Sequence, residues 1–333
     1  MLDAADGAQP EAFAAPGAFY KGNLHTHSTR SDGGLDPEEV CRRYRERGYD
    51  FLALTDHFVG RYDYPIVDTA PYRTNAFTTV LGAEVHTGRM RNGELWHLLA
   101  VGLPADFAPS YAPELWPGAE GDPREESAAD LARRCVEAGA YVAIAHPQWS
   151  GLTLADALEI GAAHAVEIYN HGCSVDSDRA DGTFMLDLLL SADRRLHACA
   201  TDDAHFRGTG MEAEDGFGGW VMVKSESLAP EALVASLRAG RNYSSQGPRL
   251  LDLRVGSDSV AVLAPLDQPP LARLTVSGAG SAASTAYAET FETRDAGIVA
   301  RAPLGRVADS PWLRVTAIDV EGKRAWSNPI WRG

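Results

Sequence analysis

Between Phe19 and Tyr243, short β-rich runs alternate with helical segments, the pattern expected of βα units around a mostly parallel sheet or barrel. The clearest helix opens at Asp36 as N-cap, with Pro37 at the first helical position and Glu39 completing the capping signal, and it closes at Gly48. The apolar run Phe51-Leu-Ala-Leu54 follows and ends in Thr55-Asp56-His57. The same ending recurs where Tyr141–Ala145 meets His146-Pro147, where Ala165–Tyr169 meets Asn170-His171, and where His197–Ala200 meets Thr201-Asp202-Asp203-Ala204-His205. Polar clusters at the C-terminal ends of buried strands are where α/β barrels hold their chemistry, and open doubly wound sheets do likewise.

After a helix over about Ala229–Ala239, stopped by Gly240, the period changes to short alternating runs such as Leu251-Leu253-Val255 and Leu313-Val315-Ala317. This divides the chain into an N-terminal arm (1–18), a catalytic α/β domain (19–248) and a small C-terminal β domain (249–333) that contains no His and no Cys. Pro104–Glu126, rich in Pro, Gly, Ala and acids, predicts a long surface loop or lid.

A length of 333 residues suits a large domain with a smaller companion, and 45% hydrophobic with 23% charged residues is the composition of a compact globular chain. The net charge of −16 argues against duplex nucleic acid, whose phosphates are gripped by clustered Lys and Arg. Cys41, Cys135, Cys173 and Cys199 are scattered, with no CxxC pair, so neither a disulfide framework nor a zinc knuckle is indicated. The N-terminal stretch lacks the features of a secretory signal, and no later run has the length of a membrane span, so the expectation is a cytoplasmic protein without a membrane partner.

The segment His25-Thr26-His27 follows a predicted strand, and residues one apart on an extended chain point to the same side, so both imidazoles can reach one ion. A lone HxH pair is weak, because histidines at strand ends often bond only to backbone. Its company strengthens it: Asp32, His57, Glu84 after Thr79–Ala83, His97, His146, and the pair Asp203 and His205. Mixed imidazole and carboxylate donors suit Zn²⁺, Mn²⁺ or Fe²⁺ rather than the oxygen-only shells of Mg²⁺ and Ca²⁺. Nine candidate ligands exceed what one ion takes, so two or three divalent transition metals are implied.

As a set, HTHSTRSDG, TDH, the Glu84 segment, AHP and the DAH of residues 203–205 resemble the PHP (polymerase and histidinol phosphatase) superfamily over roughly residues 19–248. The resemblance implies a distorted (β/α)7 barrel with a trinuclear metal centre at its C-terminal face. It places His25, His27 and Asp203 on one metal, Glu84 as a bridge to a second held by His97 and His146, and Asp32, His57 and His205 on a third. The segments Gly240–Pro248 and Ala325–Trp331 are similar to the CehA/McbA-type subgroup of that superfamily.

Other polar residues have plainer readings. His86, His164 and His197 fall outside the motif set and read as structural or exposed. His171 fits either a substrate or metal contact or a backbone-bonded loop histidine. Asp56 reads as a support for its neighbours, Asp202 as structural because it faces away from Asp203, and Glu167 as half of a buried ion pair. Arg207 and Lys224 are candidates for contacting an anionic substrate, the plainer reading being surface solvation. Gly33-Gly34 lacks phosphate-loop spacing and reads as a turn.

No GxSxG elbow and no Cys with a plausible triad partner is present, so water activated by the metals would be the nucleophile, with His205 or His57 as proton donor. The leading expectation is a phosphoesterase acting on a small phosphorylated metabolite. The alternatives are a carbamate, ester or amide hydrolase using the same metals, and a non-catalytic metal-stabilised binding module.

Overall fold

Asp36 accepts a hydrogen bond from the Glu39 amide at 2.9 Å and so caps the helix that Pro37 opens. In this computed structural model, which describes residues 2, 6–109, 126–208 and 214–332, that helix spans Pro37–Glu46 and buries Val40, Cys41 and Tyr44 on one face. The helices in chain order are α1 (Glu11–Ala14), α2 (Pro37–Glu46), α3 (Ala128–Glu137), α4 (Leu154–Glu159), α5 (His171–Ser177), α6 (Thr183–Ser191) and α7 (Pro230–Arg238). Residues 110–125 of the expected loop lie outside the described residues.

The strands of the first part are β1 (Ala18–Asn23), β2 (Phe51–Leu54), β3 (His57–Phe58), β4 (Thr78–Arg89), β5 (Leu95–Val101), β6 (Tyr141–Ile144), β7 (Ala165–Asn170), β8 (His197–Thr201), β9 (Trp220–Ser225) and β10 (Asn242–Ser245). They are followed by β11 (Asp252–Val255), β12 (Ser259–Ala264), β13 (Leu271–Gly278), β14 (Ala283–Tyr287), β15 (Glu292–Arg294), β16 (Gly297–Pro303), β17 (Trp312–Asp319), β18 (Arg324–Ser327) and β19 (Ile330–Trp331).

One sheet of 15 strands runs in the order β14-β13-β17-β18-β10-β9-β1-β2-β4-β5-β6-β7-β8, with β3 on β4 and β19 on β17. The named strands depart from a regular (β/α)7 repeat, and β8 meets β1 only through an isolated bridge beyond the ends of both strands. The reason is local. A tight reversal at residues 90–94, with Gly93 at φ 90°, returns β5 antiparallel to β4, and β6 is antiparallel to β5, so the chain skips the helical crossovers that parallel pairing requires. The pairs β1–β2, β2–β4, β6–β7 and β7–β8 are parallel. The sheet curves enough that the segment after β8 meets the segment after β1: Thr26 bridges Ala204, and the Asp203 amide donates to the His25 carbonyl at 2.8 Å. Asn242 Nδ2 on β10 also donates to the Ala198 carbonyl on β8 at 2.9 Å.

Inside the curve, Leu24, Phe51, Val80, Leu99, Ala143 and Val221 form one apolar cluster. Burying each large side chain of this kind contributes about 1.5–3 kcal/mol. β13, β17 and β18 continue the same sheet through β18–β10, whereas β11, β12, β16 and β15 form a second sheet of four strands. The apolar faces of the two meet at Leu253, Val260, Val262, Leu274, Val276 and Val315. The stretch before β1 packs onto this sandwich, with Phe13 stacked on Tyr243 at 5.7 Å between ring centroids. All four cysteines are free and buried, and no helix among the described residues is long and apolar enough to cross a membrane.

Candidate metal centre

Every ligand candidate but Asp32, which lies on the connection between β1 and α2, sits at or just beyond a strand. His25 and His27 follow β1 and are fully buried, while Thr26 between them turns its hydroxyl to the Ala204 carbonyl. His57 on β3 lies opposite Glu84 on β4, and His97 on β5 lies opposite His86 on β4. His146 follows β6, and Asp203 and His205 follow β8. His146 and Asp203 take positive φ angles of 24° and 56°, a conformation that costs a non-glycine residue roughly 1 kcal/mol or more and that recurs at functional sites.

Four groups of donor atoms result, each within 4.8 Å of one another: His25, His27 and Asp203; His25, Glu84 and His146; His57, Glu84, His86 and His97; and His27, Asp32, His57 and His205. Because the groups share members, they form one continuous cluster, with Glu84 near its middle. Glu84 Oε1 is 2.7 Å from His97 Nδ1 and 3.1 Å from His146 Nε2, and Oε2 is 2.6 Å from His57 Nδ1. Asp203 Oδ1 is 2.9 Å from His27 Nε2 and 3.1 Å from His25 Nε2. Asp32 Oδ2 is 3.4 Å from His57 Nε2, and Oδ1 is 3.5 Å from His205 Nε2.

Several rings are oriented from behind. His25 Nδ1 pairs with Glu167 Oε1 at 2.9 Å, His146 Nδ1 with Ser150 Oγ at 2.9 Å, and His205 Nδ1 with the Asp203 carbonyl at 2.9 Å, which turns each Nε2 towards the cluster. Glu167 Oε2 also accepts from the His146 amide at 2.6 Å and from Asn170 Nδ2 at 3.0 Å. Asp56 accepts from the Ser28 amide at 2.7 Å and from the Ser31 hydroxyl at 2.6 Å, which ties down the turn leading to Asp32. Asp215 accepts from the His205 amide at 2.6 Å.

The donor set fits divalent metal ions. His25 Nε2, His27 Nδ1 and Glu84 Oε2 are buried and make no hydrogen bond of acceptable geometry, although carboxylate or imidazole atoms lie nearby. Unsatisfied buried polar atoms cost about 1–3 kcal/mol each, and lone pairs converging from several strands are what a cation satisfies. The electrostatics agree. Burial, together with neighbouring His205 and His57, depresses the His27 pKa to about 3, so this imidazole stays neutral and available as a ligand. His57 is the opposite case: burial disfavours its cation, but Glu84 and Asp32 outweigh that and raise its pKa to about 10. Against their own burial, Glu84 is held well below the usual carboxylate range chiefly by His57 and His97, and Asp203 chiefly by His25.

The cluster opens into a cavity of about 530 Å³ that Trp149, Cys173, Asp176, Arg207 and Asp215 also line. The Trp149 ring stands 4.9 Å from that of His146 and 5.8 Å from that of His97. Arg207 pairs with the Asp32 carboxylate at the mouth. Burial and then the carboxylates of Asp203, Glu167 and Glu84 push the Cys173 thiol far up, so it is a poor nucleophile.

No family model and no curated protein matches the chain. Among solved structures it is similar to a two-domain protein from Bacteroides vulgatus containing a predicted PHP-like metal-dependent phosphoesterase, at 15% identity and a TM-score of 0.49, covering 89% of this chain and 90% of that one. It is also similar to an amidohydrolase from Chromobacterium violaceum with sulfate bound and no metal, at 21% identity and a TM-score of 0.41, covering 55% of this chain and 87% of that one. Both are loose likenesses.

The structure brings all nine candidate ligands together and adds a tenth donor, a seventh histidine that lies outside the motif set. His86 is buried with Nε2 2.9 Å from His57 Nδ1 and 3.7 Å from Glu84 Oε2. The signal was present, because Glu84 and His86 are one residue apart on an extended strand and therefore share a face. Glu167 also turns inward, and its partner is His25. Two of the substrate candidates, Lys224 and His171, lie off the cavity lining. Lys224 pairs in register with Phe19, at the start of β1 and so at the opposite end of that strand from His25, and its ammonium lies 4.7 Å over the Phe19 ring. The His171 ring packs on Gly218 and bonds the Tyr169 hydroxyl at 3.0 Å, and it is absent from the cavity lining. Asp202 points away from the cluster, accepting from Asn23, Tyr44 and the Gly218 and Gly219 amides.

Proposed function

We propose that this chain is a metal-dependent hydrolase of small phosphate esters, of the PHP type its motifs resemble. The observation that carries the reading is the sharing of His25, His27, His57 and Glu84 between neighbouring donor groups, which suits two or three ions held close together in one open cavity. Divalent ions bound there would supply Lewis acidity that activates water and offsets charge on a phosphoryl oxygen. Zn²⁺, Mn²⁺ and Fe²⁺ match the mixture of imidazole and carboxylate donors.

The chain's own residues would do the rest. His25, His27 and Asp203 form one ligand group; His25, Glu84 and His146 a second; Asp32, His57 and His205 with His27 a third; and His86 and His97 extend the Glu84 side. Arg207 at the cavity mouth offers a planar fork of donors to phosphate oxygens. His205, on the cavity wall with its Nδ1 held by the Asp203 carbonyl, has only Nε2 to offer: it would serve as a ligand where an ion occupies the third group, and as a proton donor to a leaving oxygen only where that ion is absent. Trp149 covers one side of the ligands and limits access of bulk water.

One observation favours carbonyl chemistry as a second reading. Arg207 is the sole Arg or Lys among the described residues lining the cavity, it is engaged by Asp32, and Asp176 and Asp215 share the wall. A neutral carbamate, ester or amide would meet less repulsion there than a phosphate dianion.

The deciding experiment is elemental analysis of purified protein together with turnover of a panel of phosphate monoesters and diesters, aryl carbamates, esters and amides. Metal-dependent turnover of phosphate esters, with KM raised by Arg207→Ala, supports the first reading. Turnover confined to carbonyl substrates establishes the second. Bound metal without turnover of any substrate returns the chain to a binding role.

A further inference from the structure

A second cavity, of about 420 Å³, lies where the extended sheet meets the back of α5. Its floor is the outer face of β13, β17 and β18. Arg273 and Thr275, then Thr316 and Ile318, then Arg324 and Trp326 are direct cross-strand neighbours, so the two-residue period puts them on one face. The opposite face of the same strands is apolar, with Leu274, Val276, Val315, Ala317 and Ala325 in the core. An outward sheet face in contact with solvent needs polar residues, but it does not need arginines grouped around a hollow in a chain with 30 basic and 46 acidic residues.

The three arginines are not equivalent. Arg314 is locked by Asp187 in a two-pronged pair, both contacts at 2.7 Å, and so is neutralised. The guanidinium groups of Arg273 and Arg324 make no ion pair or hydrogen bond among the described residues, although both line the cavity. Asp181, the acid on the rim, is itself turned to the Thr183 amide at 2.7 Å. Two uncommitted guanidinium forks beside the Thr275 and Thr316 hydroxyls offer several N–H and O–H donors around one hollow, the donor set that a tetrahedral oxyanion satisfies. Trp326, stacked on Tyr169 at 5.9 Å between centroids, gives the hollow an aromatic wall for the body of the ligand.

We propose that this cleft is a second binding site, separate from the metal-ligand cluster, for a small phosphorylated molecule. The two cavities lie on either side of α5: Cys173 and Asp176 line the first and Ser174 lines the second. The inference is independent of the bond that the metal centre cleaves, because none of its residues belongs to that centre.

The test uses the metal-loaded full chain. Crystals soaked in tungstate, a heavy stand-in for phosphate, should show anomalous density between Arg273 and Arg324 as well as any at the metal cluster. In solution, titration with inorganic phosphate should show a binding event that the Arg273→Ala/Arg324→Ala variant weakens by about tenfold or more, since each lost fork removes charge-assisted hydrogen bonds. Metal content and the unfolding midpoint should stay as in the wild type, because both side chains are exposed. Should the double variant fold poorly, the single Arg273→Gln variant should show the same loss in smaller measure. Tungstate confined to the metal cluster, or a phosphate isotherm unchanged by the substitutions, overturns the proposal.

Discussion

Glu167 Oε1 lies 2.9 Å from His25 Nδ1, both side chains being fully excluded from solvent, so a carboxylate on β7 sets the direction of a ligand that follows β1. Carboxylates placed behind metal-binding histidines fix the ring tautomer and raise ligand basicity.

Glu167→Gln is therefore expected to lower metal affinity about 10–100-fold without abolishing folding. The substituted amide would set an NH₂ against donors, since Glu167 now accepts from His25, the His146 amide, Asn170 and Thr201. Competition titration against a chelating dye measures this, and wild-type affinity would contradict the positioning role.

His86 supplies a prediction that separates ligation from packing. His86→Phe keeps a ring in the buried site but removes the nitrogen that lies 2.9 Å from His57 Nδ1 and 3.7 Å from Glu84 Oε2. Metal content per chain should fall, with the fold retained by circular dichroism. Unchanged content would mean that the ring only packs.

Metal uptake should release protons. His57 has its pKa raised to about 10 in the metal-free protein, so at pH 7.5 it carries a proton that ligation must displace. For each such proton released, affinity rises about tenfold per pH unit below that group's pKa and falls as the solution is acidified. Calorimetry in buffers of different ionisation enthalpy counts the protons, and a binding heat independent of buffer would refute the assignment. The sign for stability is the reverse. In the metal-free protein, the gain from protonated His57 is fully present below its unfolded pKa of about 6.5 and is lost as pH rises through 10.

Asp202 is a structural counterpart to Asp203. Asn23 Nδ2 donates to it at 2.6 Å, the Tyr44 hydroxyl at 2.7 Å, and the Gly218 and Gly219 amides at 2.8 Å each. Asp202→Ala leaves several buried donors without an acceptor, and at about 1–3 kcal/mol for each one left unsatisfied the variant should lose at least about 3 kcal/mol. Urea denaturation of the metal-free forms measures it, and a loss below about 1 kcal/mol would show that water replaces the carboxylate.

Much of the centre was legible because local chemistry is written in local spacing. The pairs His25/His27 and Asp203/His205 obey the period of an extended chain, and Asp36-Pro37 with Glu39 marks the start of α2. His86 was passed over because the strand was drawn as ending near Glu84, whereas β4 continues to Arg89 and carries the same period two residues further. The positions of Lys224 and His171 were not legible for a related reason. Composition identifies a cation or an imidazole, but strand register decides which end of β9 faces the cluster, and packing on Gly218 decides where the His171 ring points.

The chain by itself therefore determined the donor types, their approximate strand-end positions and the β-rich character of its last third, because each depends on neighbours in sequence. Only the tertiary structure decided that Glu84 would lie among His57, His97 and His146, and that Glu167 would stand behind His25. The tertiary structure also decided that β4, β5 and β6 run antiparallel in a curved sheet that continues into β18. Those outcomes depend on contacts between residues far apart in the chain, where curvature of the sheet and the reversal at residues 90–94 determine which side chains meet.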